Sequence, residues 1–229
     1  MLKMLLCCEG KTDHGYDTYH GGNVSHTDGV VQVFLQKLVC EETFCFVVRK
    51  RGDIKRFALI PNPNKFAPRN LVTGRKLAAI AQKEECVCIA YHRDEDNNGF
   101  ENVYSQVNGY FSVAEERGIP CLAIVPMHMT ESWLLSDANA FPAFPSDPEL
   151  PRKPEEVWGK PDSDLHPKKY IRRVLSQFHR QPSTDTFSEI ADKSDIEVVR
   201  ERCPVSFGKF CDDINSLFPG RNGNKEDID

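Results

Sequence analysis

Apolar residues along this chain fall into two patterns. Short continuous runs occupy Leu2–Cys8 and residues 44–48, 86–91 and 121–125. Runs of this length without polar alternation read as strands buried on both faces. Between them, apolar residues recur at helical spacing. Residues 27–39 carry Val30, Val31, Phe34, Leu35 and Leu38 on one stripe. Residues 69–84 and 100–117 predict two further helices, the second ended by Gly118 and Pro120. Strands alternating with helices predict an α/β fold: a mostly parallel four-stranded sheet flanked by helices.

Beyond Asp137 the pattern changes. Residues 141–167 are rich in proline and acidic side chains, as expected of a surface wrap. A helix follows that starts at Pro167, with Ile171, Val174, Leu175 and Phe178 on one side. Residues 204–218 repeat the pattern through Val205, Phe207, Phe210, Ile214 and Leu217. The expected organisation is an α/β domain over residues 1–140, a Pro-rich wrap and C-terminal helical appendage over 141–218, and a disordered tail over 219–229.

Composition narrows the class. The 229 residues are 40% apolar and carry a net charge of −5, which argues against an all-over basic coat for nucleic acid but leaves room for a local basic face. The opening MLKMLLCCEG is too briefly apolar for a signal peptide or a membrane span. The nine cysteines form no C-x-x-C pair, and Cys7, Cys8, Cys86, Cys88 and Cys121 sit in apolar runs as small hydrophobes. A reducing cytoplasm and no membrane association are expected.

Candidate chemistry concentrates in "HRDEDNNG", residues 92–99. Asp94, Asp96, Asn98 and Gly99 match the first half of an EF-hand loop, but Ser105 stands where the bidentate Glu is needed and a strand precedes the loop. Gly10-Lys11-Thr12 likewise mimics the end of a P-loop, yet Leu5 occupies the required glycine position. What favours a site over a solvated turn is location. In open parallel sheets, ligands bind outside the carboxyl ends of the strands. Glu9 leaves the first strand at that edge, Asp94 and Asp96 the third, and Glu131 follows the fourth. Such hard oxygen donors suit Mg²⁺ or Mn²⁺ rather than zinc.

The boxes "CEGKTD", "HRDEDN" and "ESWLLSD", with "HPKKYI" and "CPVSFGKF" further on, resemble TOPRIM-type domains. More narrowly, the chain resembles TOPRIM-related bacterial proteins encoded beside ATPases in phage-defence regions, relatives of OLD-type nucleases. The resemblance implies a TOPRIM-like sheet with Glu9 as general acid or base and Asp94 and Asp96 holding a divalent cation. Asp13 and Glu131 would complete a second cation site, with Asp137 close by in the same box. It further implies an antiviral nuclease acting on DNA or RNA with an ATPase partner.

Two basic clusters bear on that expectation. Lys168, Lys169, Arg172 and Arg173, with Arg180, lie on the helix after Pro167, and Arg49, Lys50, Arg51, Lys55 and Arg56 follow the second strand. Either alone reads as a solvated face; together, in an acidic chain, they predict phosphate-backbone contact by the first four. His14, His20 and His26 read as loop surface, and Trp133 and Phe141 as packing. The competing expectations are a nucleotide-sugar transferase using Asp94-x-Asp96, which would not need Glu9, and a catalytically inactive TOPRIM-shaped module that binds a partner.

Overall fold

The apolar run at the start forms strand β1 (Leu2–Cys8), and the chain then turns through the short helix α1 (Lys11–His14). Strands β2 (Tyr16–His20) and β3 (Asn23–Thr27) follow, then helix α2 (Val30–Val39), strand β4 (Phe44–Lys50), and helices α3 (Arg51–Arg56) and α4 (Arg69–Lys83). Strand β5 (Cys88–His92), helices α5 (Phe100–Asn108) and α6 (Ser112–Glu115), strand β6 (Cys121–Ile124) and helix α7 (Glu131–Leu134) complete the α/β part. A 3₁₀ turn (Ala138–Ala140) precedes the C-terminal helices α8 (Pro167–Gln177), α9 (Thr184–Lys193), α10 (Ile196–Arg202) and α11 (Ser206–Leu217). This computed structural model describes residues 2–20, 23–39, 44–59, 67–141 and 166–219. Most of the expected Pro-rich wrap and all but the first residue of the expected tail lie outside the described residues.

The four runs read as strands form one all-parallel sheet in the order β4-β1-β5-β6. Successive side chains of a strand point to opposite faces, and here both faces are covered. Met4, Leu6 and Cys8 of β1 join α2 and the C-terminal helices in one apolar cluster. Leu5 and Cys7 join α3, α4, α5 and α6 in the other. Two-sided burial explains why the strands lack alternation. The C-terminal helices contribute directly to the first cluster. Trp133, fully buried, stacks on Phe210 at 5.6 Å, meets Phe34 and Phe207 edge-on, and donates Nε1–H to Ser206 Oγ at 2.8 Å.

Three local expectations are corrected. The stretch read as a loop through His14, His20 and His26 contains the antiparallel hairpin β2–β3, which also takes Thr27 from the expected helix. Its polar sequence gave no burial signal, and its base is pinned where Gly15, at φ +80°, and Gly29 let backbones cross. A Cβ on Gly29 would come within 2.3 Å of the Asp13 backbone. The basic run after the second strand, read only as a cluster of charge, forms α3, which buries only Ile54. The helix expected over 100–117 breaks into α5 and α6, because buried Phe111 turns inward and the Tyr110 carbonyl packs against Gly74 of α4. No helix among the described residues is long and apolar enough to cross a membrane.

Candidate functional site

The chain runs from β1 outward to β4, then returns to the other side of β1 to form β5 and β6. The direction of winding therefore reverses between β1 and β5. At such a switch point the connecting loops part and leave a crevice at the carboxyl ends of the two strands. β1 and β5 are in register at Cys7 and Tyr91, so the residues that leave them, Glu9–Asp13 and Arg93–Asp96, flank that crevice.

The acidic loop after β5 is held rigidly. Arg93 N–H donates to the Ile124 carbonyl at 3.0 Å, Glu95 N–H to Pro126 at 3.2 Å and Asp96 N–H to His128 at 3.1 Å. Asp96 and Asn97 take left-handed backbone conformations (φ 51° and 62°), which short polar side chains tolerate better than others. The turn sends Glu95 inward, where its buried carboxylate accepts from the backbone N–H groups of Gly99 and His128. Glu95 is thus the structural brace of the loop, and Asp94 and Asp96 are left on its open side.

Beneath them lies a buried polar relay that sequence reasoning missed. His92, the last residue of β5, is 0% exposed and sits between Asp13 and Asp94. Its Nε2 lies 3.1 Å from Thr130 Oγ1, which donates to Asp13 Oδ1 at 3.0 Å, and 3.4 Å from Asp94 Oδ1. Asp13 Oδ2 accepts from Gly10 N–H at 3.1 Å and faces His92 Nδ1 at 3.8 Å, too long for a hydrogen bond but close for a charge. Burial alone would strip His92 of its proton. The charges of Asp13, Asp94 and Glu9 and the hydrogen bond to Asp94 outweigh it, so the imidazole pKa rises to about 9 and the ring is cationic at neutral pH. Burial lifts the Asp13 carboxyl, opposed by His92.

The remaining expected residues take distinct places. Glu9 is exposed, and its Oε1 accepts from Arg51 Nη1 at 2.5 Å. Asp96 is exposed; partial burial and the neighbouring charges of Asp94 and Glu9 raise its carboxyl, opposed by Lys168. Glu131, first in α7, is buried, and desolvation pushes its carboxyl to about 7 against the pull of Lys168. Asp137 faces elsewhere: its two oxygens accept from the backbones of Asn139 and Asp195, both at 2.9 Å, which ties the 3₁₀ turn to α10. Among the described residues, no group of three His, Cys, Asp or Glu side chains is arranged to hold a metal ion.

Of the basic clusters, Lys168, Lys169, Arg172 and Arg173 are exposed along one side of α8, whose first turn lies within electrostatic reach of Asp96 and Glu131. The other cluster is largely committed. Arg49 pairs with Glu84, Arg51 with Glu9 and Arg56 with Asp53. His14 is buried, and His26 pairs with Asp17 at 2.7 Å and Asp28 at 3.2 Å at the hairpin base.

A family model described as a domain of unknown function, DUF4276, matches residues 98–215, just over half of the chain. The chain belongs to that family. The matched region contains Glu131, Asp137 and basic α8, while Glu9, Asp13, His92, Asp94 and Asp96 lie before it. No curated protein and no solved structure matches the chain.

Proposed function

We propose that the crevice between β1 and β5 is the active site of a Mg²⁺- or Mn²⁺-dependent nuclease, TOPRIM-like in layout, that works beside an ATPase partner in antiviral defence. The observation that carries the reading is the convergence there of carboxylates from three loops far apart in sequence over a buried cation, His92. Glu9, Asp94 and Asp96 are the oxygen donors a hard divalent ion takes, and they would have to draw together around it, since among the described residues no three are so arranged in the ion-free chain. Among the described residues Asp94 is engaged through Oδ1 alone and Asp96 has no hydrogen-bonded carboxylate oxygen. Asp13, with both oxygens committed to Gly10 and Thr130, serves better as the support that orients His92 and Thr130. A bound ion would supply charge neutralisation for a phosphodiester under attack.

The chain's own residues account for the rest. His92 and Thr130 hold Asp94 in one orientation, as supporting residues do around reactive groups. Glu9, at the solvent edge, exchanges a proton with the attacking or leaving oxygen once it parts from Arg51. Lys168, Lys169, Arg172 and Arg173 carry the phosphate backbone toward the crevice. The test is cleavage of single- and double-stranded DNA and RNA in Mg²⁺ or Mn²⁺, with and without the ATPase. Glu9→Gln should retain binding and lose about 10²–10⁴-fold in rate. A Glu9→Gln variant that cleaves at the normal rate removes the mechanism.

The Glu9–Arg51 ion pair favours a second reading, a TOPRIM-shaped module that binds a partner without catalysis. Absence of cleavage under every condition above, with tight ATPase binding retained, would select it.

A further inference from the structure

Arg51, the partner of Glu9, also lines a cavity of about 350 Å³ between α3, α4 and the end of β5. Five cations line it: Arg51 and Lys55 from α3, Arg69 and Lys76 from α4, and Arg93 just beyond β5. Among the described residues no carboxylate lines it. Among the described residues only Arg51 of the five is in an ion pair, and that pair is with Glu9. Lys76 is occupied with the Lys55 carbonyl at 2.5 Å and Arg93 with Gln106 Oε1 at 2.8 Å, both neutral partners. Five positive charges gathered around one concavity repel one another, and the arrangement becomes favourable when an anion enters. Guanidinium groups from three elements suit the several oxygens of a phosphate group.

The cavity is more than a phosphate cup. The half-buried ring of Tyr110 forms one wall, braced edge-on at 5.4 Å by buried Tyr91. An aromatic face beside clustered cations is the pairing that holds a nucleobase next to its phosphate. The volume sits at the small end of ligand pockets, room for about one nucleotide and not for a duplex.

We propose that this cavity binds the phosphate of a single nucleotide, with the base against Tyr110, and that the bound phosphate competes with Glu9 for Arg51. The nucleotide is either free or the 5′-phosphorylated end of a strand. Occupancy of the cavity then releases the Glu9 carboxylate, and by linkage Glu9 weakens the ligand's hold to the same degree. The site stands whether or not the crevice cleaves nucleic acid; only the role given to the freed Glu9 rests on the nuclease reading.

The experiment is calorimetric titration of the full chain in a chelator, so that no metal-dependent reaction intervenes. The probes are AMP, adenosine, a 5′-phosphorylated tetranucleotide and its 5′-hydroxyl counterpart. AMP or the phosphorylated tetranucleotide should bind at least tenfold more tightly than the form without the phosphate, and which of the two binds better identifies the source. Lys55→Gln with Arg69→Gln, both at exposed positions, should weaken binding tenfold or more. Glu9→Gln should strengthen it severalfold by releasing Arg51. No preference for the phosphate, or no loss in the double variant, would overturn the site, and equal affinity in Glu9→Gln would overturn the competition. These outcomes are independent of any cleavage assay, so failure of the nuclease reading cannot be mistaken for failure of this one.

Discussion

Replacing His92 with Gln removes the cation beneath the crevice while retaining a side chain that can still hydrogen-bond Thr130. The ring is fully buried and its charge faces Asp13 and Asp94 at 3.8 and 3.4 Å. In the folded chain it titrates at about 9, against 6.5 for an unperturbed imidazole. By linkage, that difference amounts to about 3 kcal/mol of stability. The figure agrees with the 3–5 kcal/mol typical of breaking a buried ion pair. In a chain of this size ~1 kcal/mol moves the melting temperature by about 2–4 °C, so His92→Gln should melt about 6–12 °C lower. The pH dependence is the sharper test. Because folding raises this pKa, the contribution is complete below pH 6.5 and is lost as pH rises through 9. Thermal unfolding of both proteins in a chelator from pH 6 to 10 should show the gap widest at pH 6 and narrowing toward pH 10. Taking the difference cancels the ionisation of cysteines common to both. A gap that stays constant, or widens with pH, would refute a cationic His92.

Further outcomes follow from other parts of the site. Glu131 titrates at about 7 in its buried position, so its ionisation costs stability between its ordinary pKa of 4.5 and 7, and that cost is complete above 7. In the same chelator, Glu131→Gln should therefore equal the natural protein near pH 4.5 and exceed it by ~1–3 kcal/mol at pH 8; equal unfolding midpoints at both pH values would contradict its burial as a charged group. A Cβ at Gly29 would press on the Asp13 and Gly15 backbones at 2.3 Å. Gly29→Ala should thus cost about 3 kcal/mol or more in urea unfolding, the upper range for overpacking. Lys168→Ala with Arg172→Ala should lower nucleic-acid affinity and flatten its dependence on salt by close to two phosphate contacts; an unchanged salt slope would take the backbone path away from α8.

The sheet was legible because its strands are buried twice over: Leu5 and Leu6 belong to opposite apolar clusters, and no alternation could survive that. The convergence of Glu9 and Asp94 on one edge followed from parallel pairing alone. The relay was not legible. His92 read as the first residue of the acidic loop, just past the expected strand over 86–91, and its partners Asp13 and Thr130 are remote in sequence and adjacent only through the fold. Within Asp94-Glu95-Asp96 the spacing gave the outer pair, but nothing local revealed that left-handed backbone at Asp96 and Asn97 would bury the middle carboxylate. The hairpin β2–β3 escaped because its polar sequence carries no apolar pattern, and its base depends on backbone contacts at Gly15 and Gly29. The basic run after β4 was visible as charge, but the pairing with Glu9 of an Arg51 that also lines the cationic cavity required the third dimension.

The central claim, a divalent-cation site formed by Glu9, Asp94 and Asp96, is tested most directly by titrating Mn²⁺ and following its electron paramagnetic resonance signal. The natural protein should bind the ion, and Asp94→Asn with Asp96→Asn should abolish binding; the metal-free double variant should melt lower, since Asp94 faces the cationic His92 at 3.4 Å, and is titrated below its melting temperature. Equal Mn²⁺ binding by the double variant would contradict the account.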